Sequence, residues 1–84
     1  MAKVEIYSTQ VCPYCVKAKT LFETKGAAYE EIDVTDFDER QKMMERAPGA
    51  RTVPQIFIND QHIGGCDDLY ALNDKGELDA LLAS

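Results

Sequence analysis

Positive charge is scarce in this chain: nine lysines and arginines face fifteen aspartates and glutamates, for a net charge of −6. Non-specific binding to nucleic acid or to an anionic membrane needs clustered cations, so neither is expected, and the charge serves solubility. Long apolar runs are missing too. No segment approaches the ~18 consecutive apolar residues of a membrane-spanning helix. The opening MAKVEIYSTQ reads as a strand with charges inside it, not as a secretory leader. Histidine occurs once and cysteine three times. An odd, small number of cysteines argues against a disulfide framework. With no leader or membrane span expected, a cytosolic or similarly reducing compartment is the default, and there a close cysteine pair serves redox chemistry or binds metal. With 84 residues, 45% of them hydrophobic, one core and one domain over residues 1–84 are expected, near the lower size limit for folding without metal or crosslinks.

Strand character appears at Lys3 to Tyr7 and again at Tyr29 to Val34. Between them, from Pro13 to Lys25, Cys15, Ala18 and Phe22 recur at helical spacing with Leu21 widening the stripe. Pro13 suits a first helical turn, and Gly26 ends the helix. A strand, a helix and a strand within about 30 residues make a βαβ unit. A second helix is predicted from near Asp36, with Asp36 and Glu39 as a capping box and Phe37, Met44 and Ala47 on its buried face. Met43 and Met44 serve as core and helix filler. Pro48 and Gly49 stop this helix. TVPQIFINDQHIGG predicts a hairpin of Gln55 to Ile58 and His62 to Ile63 around Asn59 and Asp60. In the tail, Leu69 and Leu72, then Leu78, Leu81 and Leu82, predict two short helices broken at Gly76.

The chemistry-bearing stretch is QVCPYCVKAK, Gln10 to Lys19. Its C-x-x-C spacing alone leaves a staple, half a metal site and a redox pair open; a helix opening inside a βαβ unit favours the redox use. Cys12, just before Pro13, would sit beside the unpaired N–H groups of the first turn, which favour an anion. Such positions lower a thiol pKa from about 8.5 into a range of about 3.5 to 7.5. Cys12 is thus the predicted attacking thiol. Cys15, on the apolar face, is the resolving one. Lys17 and Lys19 are read as solvated lysines on an outer face.

Three segments together, CPYC at Cys12 to Cys15, TVPQIFI at Thr52 to Ile58 and GGCDDLYAL at Gly64 to Leu72, make the chain resemble a dithiol glutaredoxin of the small bacterial type. The resemblance covers essentially the whole length. It implies an α/β thioredoxin fold: a four-stranded mixed sheet flanked by helices in the order βαβ-α-ββα. It also implies a glutathione-dependent thiol–disulfide oxidoreductase, with Cys12 and Cys15 catalytic, no tightly bound cofactor, and glutathione as cosubstrate. Glutathione would be held by Tyr14, Thr52, Val53, Pro54, Gly65, Cys66 and Asp67. A cis Val53-Pro54 bond would leave the Val53 backbone to pair with the peptide like an added strand. The helix opening at Cys66 and Asp67 would take the γ-glutamyl carboxylate, and the Asp67 side chain its amino group. Implied partners are glutathione and disulfide-bonded or glutathionylated proteins, ribonucleotide reductase among the candidates, acting on a monomer.

One position departs from the family pattern. Glutaredoxins commonly carry a lysine three residues before the first cysteine, where it pairs with the glycyl carboxylate; Thr9 stands there. Weaker glutathione binding, or compensation from Arg40, Lys42 or Arg51, is expected. Asp68 is read as a first-turn acid complementing the helix dipole, His62 as a structural strand histidine, and Cys66 as a half-buried small hydrophobe. The competing function is a zinc or iron–sulfur cluster binding module using the same cysteines, nominally with Cys12, Cys15, His62 and Cys66 as a Cys₃His set. A third is a catalytically idle interaction domain.

Overall fold

All five residues of strand β1 (Val4–Ser8) are buried, a pattern that calls for neighbours on both edges and cover on both faces. A computed structural model, which describes residues 2–83, supplies both. Strand β2 (Glu30–Asp33) runs parallel to β1, and β3 (Gln55–Ile58) antiparallel to it on the other side. Strand β4 (Gln61–Gly64) pairs antiparallel with β3, so the sheet order is β2-β1-β3-β4. Helices α1 (Pro13–Thr24), α2 (Phe37–Arg46), α3 (Cys66–Asp74) and α4 (Glu77–Leu82) complete the chain. This is the expected mixed sheet in the expected order, the thioredoxin fold. No helix among the described residues is long and apolar enough to cross a membrane.

Strand alternation divides the core. Val4, Ile6, Ile56 and Ile58 point to one face and pack with Ala18, Leu21 and Phe22 of α1, Leu69 of α3 and Leu78 of α4. Tyr7 and Phe57 point to the other face and pack with Val34, Met43 and Ala47. Local signals behave as predicted at two turns. Gly26 adopts φ +69° after α1, and Ala27 N–H bonds back to the Phe22 carbonyl at 2.9 Å, a glycine-dependent helix stop. Asn59 and Asp60, at φ +52° and +67°, form the two-residue hairpin turn.

Helix α2 departs from the expectation. Asp36 caps it, but its carboxylate accepts from Asp38 N–H at 3.1 Å, and Glu39 bonds Lys42 at 3.0 Å instead of closing a capping box. Phe37 is 67% exposed, whereas Met43 and Ala47 are buried and Met44 is half-buried. Phe37 lies six residues before Met43, about 120° around the helix from it, so seating Met43 and Ala47 on the sheet turns Phe37 outward.

What seats α2 is a charge pair that no local pattern announces. Glu5 is buried on β1, facing α2. A buried carboxylate is costly without a partner. Arg46, in the last turn of α2, grips it with both guanidinium nitrogens, at 3.0 and 2.8 Å. The same guanidinium donates to the Tyr7 hydroxyl at 3.1 Å and to Asp60 at 3.0 Å, and its central carbon lies 3.9 Å from the Phe57 ring centroid. The Arg46 hydrogen bonds hold the Glu5 carboxyl below the usual carboxylate range, and Glu5 raises the Arg46 pKa in turn.

Replacing Glu5 with Gln is expected to lower stability at neutral pH by about 2 kcal/mol, below the full cost of orphaning a buried charge because Arg46 keeps some access to water. Since the folded Glu5 pKa is depressed, its contribution is complete above the unfolded value and disappears as pH falls through the folded one. Urea unfolding of both proteins at pH 7 and pH 3 should show the gap closing at the lower pH.

Candidate active site

Helix α1 starts where the sequence places it. Pro13 occupies the first turn and Cys12 is the N-cap, with extended backbone at φ −150° and ψ 96°. The Cys12 sulfur does the work of a capping side chain, accepting from Cys15 N–H at 3.1 Å. Cys12 and Cys15 are joined as a disulfide with Cα atoms 5.2 Å apart. The two sulfurs have unequal surroundings. Cys15 is 1% exposed on the core side of α1, while Cys12 is only half-buried. No acidic residue lies in the first turn of α1 to oppose negative charge at Cys12. The two lysines are engaged elsewhere: Lys17 Nζ sits 4.9 Å over the Tyr70 ring and Lys19 pairs with Glu31 at 2.8 Å.

Beside Cys12 opens a groove of about 720 Å³. The Val53-Pro54 bond is cis, and the Val53 carbonyl oxygen lies 3.8 Å from Cys12 Sγ. Tyr14, exposed as expected, forms one border, residues 48–55 another, and residues 64–68 a third. All seven non-catalytic site residues predicted from sequence (Tyr14, Thr52, Val53, Pro54, Gly65, Cys66 and Asp67) line this one groove. Arg51 lines it as well. Its carbonyl is held by Arg40 Nη2 at 2.9 Å, and Lys42 is occupied with Glu39. Thr9 lies outside it, in a separate polar recess with Gln10, Lys19, Glu31 and Asp33. There Lys19 and the buried Ser8 hydroxyl hold the Glu31 carboxyl below its usual range.

The third border is the N-terminus of α3. Asp68 accepts from Gly65 N–H at 3.1 Å, so it caps the helix directly as well as complementing its dipole. Asp67 is exposed beside it. Gly64 has φ +120°, and a side chain there would run into the Asp68 carboxylate. Cys66 is buried at 5% exposure, not half-buried, because it packs into the main core with α1 and Leu69; that burial raises its pKa.

Among the described residues, no three or more His, Cys, Asp and Glu side chains gather as metal ligands. The nominal Cys₃His set does not assemble: Cys66 is in the core, and His62 Nε2 lies 2.7 Å from Gln55 Oε1 with its ring stacked on Phe57. Sequence reasoning did not include Gln55 or His62 among the groove residues, although both line it. A polar residue opening an otherwise apolar strand, as in PQIFI, was the available signal.

A thioredoxin fold with an unequal cysteine pair at a helix N-terminus defines a thiol–disulfide oxidoreductase. Residues 4–63 match the glutaredoxin family. The chain is 56% identical over 84 residues to a probable glutaredoxin of Synechocystis, covering 99% of this chain and 77% of that one. It is 51% identical over 82 residues to glutaredoxin 3 of Escherichia coli, covering 98% and 99%. A crystal structure of a buckwheat glutaredoxin–glutathione complex superposes with a TM-score of 0.88 at 32% identity, over 98% of this chain and 77% of that one. The solution structure of a Brucella melitensis glutaredoxin gives 0.85 at 53% identity, over 98% and 89%. The chain belongs to the glutaredoxin family, and its activity is glutathione-dependent thiol–disulfide exchange.

Gly64→Ala should force either the positive φ or the Asp68 cap to give way. A loss of about 2 kcal/mol in stability is expected, read as a lowered urea midpoint.

Proposed function

We propose that Cys12 is the nucleophile and Cys15 the resolving thiol, and that the groove beside them binds the glutathione portion of glutathionylated substrates. One observation carries this reading: the Cys12 sulfur receives the Cys15 N–H at the start of α1 while Cys15 itself is buried. On reduction that donor and the helix N-terminus remain in place to stabilise a thiolate at Cys12. Cys15, in apolar surroundings, keeps its proton more readily.

With a glutathione mixed disulfide, the Cys12 thiolate attacks the glutathione sulfur. The target leaves as a thiolate and takes up a proton, and glutathione stays on Cys12. The thiolate of a second glutathione attacks that sulfur, giving glutathione disulfide and restoring the Cys12 thiolate. With a protein disulfide, Cys12 forms a bond to one target sulfur. Cys15 then loses its proton and attacks Cys12, which closes the disulfide seen in the structure and frees the target with two thiols. Two glutathione molecules return the pair to the dithiol.

For the bound peptide, the reading gives the Val53 backbone an added-strand role, the α3 N-terminus the γ-glutamyl carboxylate, Asp67 the amino group and Tyr14 an exposed ring face. Among the three compensating cations expected from the Thr9 departure, Arg51 is the one at the groove, and it is the choice for the glycyl carboxylate. No tightly bound cofactor is invoked. The partners are glutathione and glutathionylated or disulfide-bonded proteins, met by a monomer in the cytoplasm.

The test is kinetic. Cys12→Ser should abolish reduction of a mixed disulfide between glutathione and a small thiol. Cys15→Ser should retain much of that activity while losing reduction of a protein disulfide. Equal inactivity of the two variants toward the mixed disulfide would show that the roles are wrongly divided.

A further inference from the structure

We infer that His62 and Gln55 form a relay that positions the groove wall for the glutathione moiety, His62 acting through Gln55 on the Thr52 carbonyl. The inference rests on the groove reading proposed above. Gln55 opens β3, is only 5% exposed, and uses both ends of its amide. Its Nε2–H donates to the Thr52 carbonyl at 3.0 Å, and its Oε1 lies 2.7 Å from His62 Nε2. A carbonyl only accepts, so the Gln55 nitrogen must face Thr52 and its oxygen must face His62. The His62 Nε2 therefore carries the hydrogen and donates it. The imidazole is itself anchored: it stacks on Phe57, its neighbour across the strands, with ring centroids 4.9 Å apart and planes 28° apart.

This arrangement steadies a segment that packing does not. Arg51 and Thr52 are exposed and belong to no strand. Their two consecutive carbonyls are each held from behind by a side-chain donor, Arg51 by Arg40 of α2 and Thr52 by Gln55. The next carbonyl along the chain, that of Val53, is the one facing Cys12 Sγ at 3.8 Å. A loop fixed before the ligand arrives loses less freedom on binding, so its benefit is read in substrate affinity. His62 touches neither sulfur, so it is a positioning residue and not a catalytic one.

Substitution separates the donor from the ring. His62→Phe keeps an aromatic ring against Phe57 and removes the donor, while His62→Gln keeps a donor of similar reach and removes the ring. Steady-state reduction of a mixed disulfide between glutathione and a small thiol should show His62→Phe raising KM about fivefold with kcat within about twofold, the effect of one net hydrogen bond. His62→Gln should restore most of the wild-type KM. Gln55→Leu should match His62→Phe, and the double variant should be no worse than Gln55→Leu alone, as members of one chain must behave. An unchanged KM in His62→Phe, a His62→Gln variant as impaired as His62→Phe, or a loss confined to kcat would each overturn the relay. Should Gln55→Leu fail to fold, the two variants of the exposed His62 decide alone. Asp67→Ala separates the two levels: if it raises KM and His62→Phe does not, only the relay falls, whereas if it too leaves KM unchanged, the groove reading falls and takes the relay with it.

Discussion

A carboxylate buried in the central strand has to be paired, and the pairing of Glu5 determines where α2 lies. Arg46 meets it from the last turn of that helix and, in the same fork, reaches Tyr7 on β1 and Asp60 in the β3–β4 turn. Three elements distant in sequence are thereby locked to one guanidinium. The chain leaves α2 immediately after Arg46, so the position of that residue sets where residues 47–54 begin their return to the sheet. Of these, residues 48–54 form a wall of the groove, while Ala47 stays in the core. The electrostatic requirement of one strand residue is in this way transmitted to the geometry beside Cys12, through a rigid helix and a short loop. Arg40, three residues into the same helix from Phe37, adds a second tie from α2 to that loop at the Arg51 carbonyl.

The two sulfurs owe their difference to helix geometry. Cys12 is outside α1 as its cap, and Cys15 is one turn inside on the stripe that includes Ala18 and Phe22. A spacing of three residues places them within bonding distance while giving one the helix N-terminus and the other the core. Proline at the intervening first-turn position supplies no N–H and needs none there. The helix can therefore begin abruptly after Cys12.

Periodicity and punctuation made most of this fold legible. The α1 stripe, the Gly26 stop, the Asn59-Asp60 turn and the break at Gly76 each depend on residues adjacent in sequence, and each is found in place. The errors fall where the outcome depends on distant partners. Phe37 looked like a buried anchor of α2 because apolarity was visible and helix rotation was not; rotation was set by Met43, Ala47 and Arg46 meeting residues 39 to 41 positions away in the case of Tyr7 and Glu5. Cys66 was misjudged in degree for a similar reason, since its burial comes from α1 packing across it. The groove residues were legible only through the resemblance to glutaredoxins, because nothing local ties Tyr14, Val53 and Asp67 to one another. Gln55 was given no role and His62 only that of a structural strand histidine, because the two hydrogen bonds that link them to Thr52 are visible only once the strands are aligned.

Thr9 takes on a different meaning once its position is known. It stands in a recess whose one cation, Lys19, is already committed to Glu31, and this recess is separate from the groove. If the groove binds glutathione as proposed, the attraction for that anionic peptide comes from the groove itself. Two kinds of source are present there: the Arg51 side chain and the N-termini of α1 and α3, whose first-turn residues Tyr14, Cys66 and Asp67 line the same space. Helix N-termini act over about one turn and are fixed by the fold, whereas an exposed arginine acts at longer range and is screened by salt. In a protein of net charge −6, glutathione binding in the groove, as proposed, would therefore rest mainly on short-range donors. On the proposed reading of the groove, the fixed backbone donors at the starts of α1 and α3 would hold the peptide once it has arrived, and Arg51, the one lysine or arginine among the described groove residues, would guide it in.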